Sequence, residues 1–170
     1  MIDLSEYEGL ARETGAFKDI ELDILKESLS EWQKRPGDPY TAFEVRDGRI
    51  LAGFAVLCRE ASTEYTFDLR AICVDPSYIG KGVTAGLLGL VEEEILKSEK
   101  SAILRFETSR RKEASIGPDV LSGRGFALIG HIPDFYAPGD DYFMYAKHLR
   151  RAARDAGGAA EEGGGTKEGR

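Results

Sequence analysis

The run from Ala71 to Ser98 constrains the fold most. It opens as an apolar strand, Ala71-Ile72-Cys73-Val74, and stops at Asp75-Pro76. It then crosses Gly80-Lys81-Gly82 and continues as a helix over 83–97, with Val83, Leu87, Leu90, Val91 and Ile95 marking one face. A buried strand that feeds an amphipathic helix through so short a loop calls for a layered arrangement, with the helix packed back on a sheet. The loop carries chemistry as well. The first N–H groups of a helix have no internal partner and sit at the positive end of its dipole. A phosphate placed there satisfies several of them at once. Gly80 and Gly82 let backbone approach a ligand, and Lys81 adds a mobile charge. The G-x-x-x-x-G-K-[ST] spacing of a P-loop is absent. On these residues alone, a tight strand-to-helix turn explains the glycines equally well.

The remaining pattern alternates. Ile20, Ile24, Leu25, Leu29 and Trp32 recur at helical spacing, and Pro36-Gly37 with Pro39 ends that helix. Residues 40–45 and 50–58 read as a hairpin around Asp47-Gly48. Strands follow at 66–74 and 102–108, a short helix at 118–122, and two strands at 127–135 and 141–149 joined across Pro138-Gly139. The predicted class is a mixed α/β domain, an α+β layering of one sheet with helices, over residues 1–150. Residues 151–170 are Gly, Ala and charge, and read as a disordered tail.

The formal charge is −7, and the segment from Arg150 onward holds five basic and four acidic residues, so the body is more acidic than the whole. Such a body argues against nucleic acid as partner and is compatible with a cationic substrate such as an amine. No apolar run reaches the length of a membrane span, and residues 1–17 lack the apolar core of a secretory signal. Cys58 and Cys73 both sit in apolar strand-like runs, which predicts reduced, buried thiols and a cytoplasmic protein. No metal-ligand spacing is visible.

Val74-Asp75-Pro76-Ser77-Tyr78, Gly80-Lys81-Gly82-Val83, Leu87-Leu88 and Val91-Glu92-Glu93-Glu94 resemble the cofactor segment of the GNAT superfamily of acetyl-CoA-dependent N-acyltransferases. Arg12-Glu13-Thr14-Gly15, Thr66-Phe67-Asp68-Leu69, Glu107-Thr108-Ser109 and the run Ile132-Pro133-Asp134-Phe135-Tyr136-Ala137-Pro138-Gly139-Asp140-Asp141 resemble one bacterial and archaeal subgroup. The resemblance spans roughly residues 10–149. It implies a mostly antiparallel central sheet in which the strands at 66–74 and 102–108 are parallel neighbours that splay apart. Acetyl-CoA would lie in the gap, its pantetheine arm along Ile72, Cys73 and Val74. Its pyrophosphate would sit over Ile79, Gly80, Lys81, Gly82, Val83, Thr84 and Ala85. Ile79 stands where the family pattern has Gln or Arg, and Thr84 where it has a second Gly or Ala. Thr84 would either crowd the phosphate or offer it a hydroxyl. Val120-Leu121 stands five residues before Gly125-Phe126, where the family often has Phe-Tyr, and that Tyr often protonates the departing thiolate.

Acyl transfer to an amine needs a neutral amine, a polarised carbonyl and a protonated leaving thiolate. With Leu121 unable to donate a proton, Tyr136 is the leading acid, ahead of Tyr142 and Tyr145, and the Val74 N–H is the candidate for polarising the carbonyl. Asp68 and Glu107 are the candidate bases, since a carboxylate set into an apolar cleft suits that role. Arg70 is expected to pair with Asp68 under strict strand alternation. His131 and His148 lack a recognisable partner and are read as non-catalytic. Glu92 to Glu94 read as a solvated helix face, and Trp32 as core or cleft wall. The expected activity is direct acetyl transfer to a primary amine of a small molecule or peptide. A GNAT-like module that binds acyl-CoA with weak or no turnover is the alternative. Oligomeric state is open, a homodimer included.

Overall fold

The computed structural model describes residues 3–117 and 119–152. Helices α1 (Leu4–Glu13) and α2 (Asp19–Lys34) come first. Strands β1 (Tyr40–Asp47), β2 (Ile50–Arg59) and β3 (Thr66–Val74) follow, then a single 3-10 turn over Pro76–Tyr78 and helix α3 (Val83–Ser98). Strand β4 (Ser101–Ser109), short helices α4 (Arg110–Ile116) and α5 (Val120–Gly123), and strands β5 (Ala127–Ala137) and β6 (Asp140–Arg150) complete it. The predicted strands all form, within two residues at their ends. Two helices were not foreseen: α1, whose N-cap Asp3 accepts from the Ser5 N–H, and α4, capped by Ser109. Most of the predicted tail, from residue 153 on, lies outside the described residues, as does Pro118 at the head of the predicted short helix.

The strands form one six-stranded sheet in the order β1-β2-β3-β4-β6-β5. All neighbours are antiparallel except β3 and β4, so the class is the expected mixed, mostly antiparallel α/β arrangement. Helices cover both faces. On one, α3 buries Val83, Leu87, Leu88, Val91 and Ile95 against Ala55 and Leu57 of β2, Ile72 and Val74 of β3, and Leu104 and Phe106 of β4. On the other, α1 and α2 bury Tyr7, Leu10, Leu22, Leu25 and Leu29 against Phe54, Val56, Ala71 and Cys73. The central strand β2 is buried from Leu51 to Cys58, which explains its unbroken apolar sequence.

One helix face rotates from expectation, and a second departs at one position. On α2, Ile20 and Ile24 are 64% and 57% exposed, and Leu22, Leu25 and Leu29 are the buried set. On α3, Leu90 is exposed and Thr84 is buried instead. On α2 two apolar stripes compete on one helix, and the sheet selects the one it meets. Trp32 packs edge-on to Tyr7 at 6.5 Å beside the second core, as a core residue.

One irregularity in β3 shapes everything downstream. Leu69 pairs with Leu57 and Ala71 with Val56, so Arg70 is an extra residue, a β-bulge. Before it, Phe67 and Leu69 face α3; after it, Ile72 and Val74 do. Arg70 and Ala71 therefore project in succession toward the α2 side, where both line the same cavity.

Candidate active site

Strands β3 and β4 pair only from Thr66–Ile103 to Leu69–Phe106. Beyond that β3 runs on to Val74 and β4 to Ser109 without a shared register, so the sheet opens into a V. One end of this opening meets the start of α3, and the other side meets a cavity under α2.

At the α3 end, Gly80 and Gly82 both adopt the left-handed region, with φ of 78° and 83°. This lets the chain turn from the 3-10 segment into α3 in four residues. Among the described residues, the N–H groups of Gly82, Val83, Thr84 and Ala85 meet no acceptor, and Gly82 brings no capping side chain. The Lys81 N–H is spent on the Tyr78 carbonyl at 3.1 Å, so Lys81 contributes its side chain, whose Nζ lies 5.0 Å over the Tyr78 ring. Tyr78 is itself tied to Asp47 at 2.8 Å. The Thr84 question resolves in an unforeseen way. Its side chain is buried and its hydroxyl donates to the Ile116 carbonyl at 2.6 Å, so it neither crowds the cradle nor lends it a hydroxyl. It clips α3 to the end of α4. Ile79 is partly exposed at the loop tip. Gly53 matters here although it lies in β2. A Cβ on it would stand 2.8 Å from both the Cys73 carbonyl and Val83 Cγ1, so its bare backbone is what allows α3 to seat.

The cavity under α2 has a volume of about 480 Å³. Tyr136, Glu107 and Asp68, predicted from three separate segments, all line it, with Arg70, Arg105, Glu21 and Lys112. Asp68 is buried and held by Arg105, the residue opposite it in register, through two hydrogen bonds of 2.7 and 2.9 Å. This corrects the expected Asp68–Arg70 pair. Asp68 and Arg70 do face the same cavity, as alternation predicts, but the carboxylate is taken by Arg105 across the parallel register. Glu21 of α2 accepts from the Lys18 N–H with one oxygen and from the Lys112 ammonium with the other, which joins α2 to α4 across the cavity. Glu107 stands exposed on the cavity wall.

Tyr136 arrives on an irregular stretch of β5. Ile132 pairs with Tyr142 and Ala137 with Asp140, so four residues on β5 oppose one on β6. Asp141 holds this bulge together. One oxygen accepts from the Asp134 N–H at 3.0 Å, and the other contacts Arg110 at 2.6 Å and His131 Nε2 at 2.8 Å. Asp134, at φ 55°, caps the Gly139 N–H in turn. His131 thus has a carboxylate partner that sequence spacing did not reveal, and its place is in this scaffold, stacked on Phe143. Hydrogen bonds from Asp134, His131 and Arg110 hold the Asp141 carboxyl well below the ordinary carboxylate range. Burial, then the charges of Glu21 and Glu107, pushes the Tyr136 hydroxyl up, so it stays protonated at neutral pH. Tyr142 is raised for the same kinds of reason, burial and Glu107. Tyr145 lies apart; its hydroxyl donates to Glu113 at 2.5 Å, and burial with that carboxylate pushes it up to about 12.

Leu121 is buried in the α3-side core. Glu92 corrects the reading of a solvated acidic face, since it bridges Arg124 and Lys147 at 3.0 and 2.8 Å. Cys58 and Cys73 are free and buried, and burial raises both thiols. Among the described residues no helix is long and apolar enough to cross a membrane.

No family model matches the chain. An uncharacterized protein of Mycobacterium leprae is 32% identical over 111 residues, which make up 64% of this chain and only 28% of that protein's length. A proposed acetyltransferase of the GNAT family from Desulfovibrio desulfuricans superposes with a TM-score of 0.73 at 27% identity, over 85% of this chain and 91% of that one. The ribosomal-protein-S18-alanine N-acetyltransferase of Escherichia coli superposes at 0.64, with 18% identity over 91% and 94% of the two chains. A proposed acetyltransferase from Salmonella typhimurium, solved with its cofactor acetyl-CoA, gives 0.64 at 19% identity over 89% and 90%. The fold is that of GNAT acetyltransferases.

Proposed function

We propose that residues 1–150 form a single acetyl-CoA-dependent N-acetyltransferase domain acting on a primary amine. The observation that carries this is the V between β3 and β4, with an uncapped helix N-terminus at one end and Tyr136 and Glu107 at the other. The cradle fits a pyrophosphate. The N–H groups of Gly82 to Ala85 are open, the backbone of Ile79 and Gly80 borders them, and no side chain fills the space beside Gly80 or Gly82. The free edge of β3 at Ile72, Cys73 and Val74 offers backbone groups to an extended pantetheine arm. Bound acetyl-CoA would supply the acetyl group as a thioester with a thiol leaving group.

The chain's own residues divide the remaining work. Glu107 accepts the proton of the incoming ammonium, which frees the nitrogen lone pair to attack. The Val74 N–H stabilises the charge that develops on the carbonyl oxygen. As the new C–N bond forms and the C–S bond breaks, Tyr136 donates its proton to the thiolate. Asp68, committed to Arg105, is assigned a structural role here, and Glu107 is the preferred base. The two free, buried thiols support a reducing, cytoplasmic setting.

Ile79 and Leu121 favour a second reading, an acyl-CoA-binding module with weak turnover. One experiment separates the two. Acetyl-CoA at about a hundred times its Kd should stabilise the fold by ~2.7 kcal/mol, read as a rise in melting temperature. Free thiol should then appear with a panel of primary amines. A thermal shift without thiol release supports the binding module, and no shift at millimolar acetyl-CoA overturns both.

A further inference from the structure

The cavity under α2 contains two internally neutralised pairs, Glu21 with Lys112 and Asp68 with Arg105. Two charges are left. The last β3–β4 pair is Leu69 with Phe106, and the next residue on each strand is Arg70 and Glu107. Both line the cavity, one on either side of the opening. Among the described residues neither forms an ion pair within 4 Å; the guanidinium of Arg70 has the Cys58 thiol beside it and feels the charge of Glu60, and Glu107 lies beside the Tyr142 hydroxyl and within electrostatic reach of Arg105. Alternation puts Arg70 on the cavity side with Asp68, and the bulge brings Ala71 onto the same side directly after it. An amine alone would complement Glu107 and leave Arg70 without an ion-pair partner in the cavity. A guanidinium presents a planar fork that suits a carboxylate.

We infer that the acceptor is a primary amine that also bears a carboxylate, the ammonium set against Glu107 and the carboxylate against Arg70. This deepens the transferase reading and rests on it. A cavity of about 480 Å³ accommodates a free amino acid or the end of a short peptide. Both sources present the same two groups.

The test compares matched acceptors in the full chain: glycine with glycinamide, β-alanine with its amide, γ-aminobutyrate with its amide, and amidated Gly-Asp with amidated Gly-Asn. Acetyl-CoA is fixed, and CoA thiol is the readout. At least one pair should show kcat/KM for the carboxylate member about 10- to 100-fold above the amide. The first three pairs winning identifies a free amino acid, and the last identifies a peptide. In Arg70→Gln that ratio should fall to near one, and Arg70→Lys should restore part of it. Because the ratio is taken within one variant, partial loss of folded protein cancels. Turnover with every pair within about twofold, or an unchanged ratio in Arg70→Gln, overturns the inference and leaves the transferase standing. An acetyl-CoA thermal shift with no thiol release from any acceptor overturns the inference and the turnover reading together, leaving cofactor binding. No thermal shift overturns everything from the cofactor down.

Discussion

The two ends of the β3–β4 opening are built on different principles. The cradle at α3 is contiguous, comes from residues 72–85, and works through backbone groups that two left-handed glycines expose. The cavity under α2 is assembled from α2, β3, β4, α4 and the β5–β6 hairpin, and works through side chains that hold one another in ion pairs. A backbone site tolerates sequence change as long as the turn forms. A side-chain site fails when one partner of a pair is lost. In this cradle Gly80 and Gly82 set the turn, with Ile79 at its tip and Thr84 turned inward. Thr84 even acquires a separate duty in the Ile116 clip.

The difference can be broken experimentally, beginning with the largest effect. Tyr136→Phe removes the proposed proton donor, and kcat should fall about 10²- to 10⁴-fold while the acetyl-CoA thermal shift is retained. Equal loss of both would place Tyr136 in the fold and not the chemistry. Arg105→Met leaves the Asp68 carboxylate buried without its cation. Fully buried pairs broken this way cost about 3–5 kcal/mol, and with the Arg105 side chain 33% exposed we expect about 2–3 in denaturant unfolding. Asp68→Asn added to Arg105→Met should recover part of it.

The cradle side should respond more gently and in binding. Gly53→Ala forces a Cβ against the Cys73 carbonyl and Val83, and should cost about 1–3 kcal/mol by overpacking, read as a lower denaturation midpoint. Gly82→Ala places a Cβ at φ 83°, and about 1 kcal/mol of stability should go, with a several-fold weaker acetyl-CoA Kd by calorimetry. Unchanged affinity would mean that the N-terminus of α3 is not the phosphate seat. The smallest effect is pH-dependent. The folded Asp141 carboxyl is depressed, so its contribution is complete above the ordinary Asp value of about 4 and is lost as pH falls below that. Asp141→Asn should flatten the acid limb of a melting-temperature profile between about pH 4 and pH 2, relative to the native chain.

The candidate cleft residues come partly from the sequence pattern and partly from the family resemblance, and neither discloses how they are wired together. Asp68 stands out because a carboxylate inside an apolar strand needs a reason to be there, while Tyr136 and Glu107 are singled out by the resemblance, Tyr136 at a strand end beside Pro138-Gly139 and Glu107 on the neighbouring strand. Their partners could not be read the same way. Arg105 pairs with Asp68 only because β4 lies parallel to β3 in one register, and Asp141 meets His131 and Arg110 only because the β5–β6 hairpin folds over α4. Gly53 gave no signal at all, since an isolated glycine in a strand has many explanations and only the seat of α3 supplies the right one.

What the sequence determined by itself was local. Period-two and period-3.6 patterning set where strands and α2 and α3 run, and Asp75-Pro76 with Gly80 and Gly82 set the turn between β3 and α3. These depend on steric and hydrogen-bonding rules that act over a few residues. The tertiary structure decided which of two apolar stripes on α2 faces inward, which cation neutralises Asp68, and where the Thr84 hydroxyl goes. It also decided the parity switch at Arg70, since an extra residue in β3 is visible only against its partner β2. Pairing energies depend on what lies across the gap, and a linear sequence does not state its neighbours.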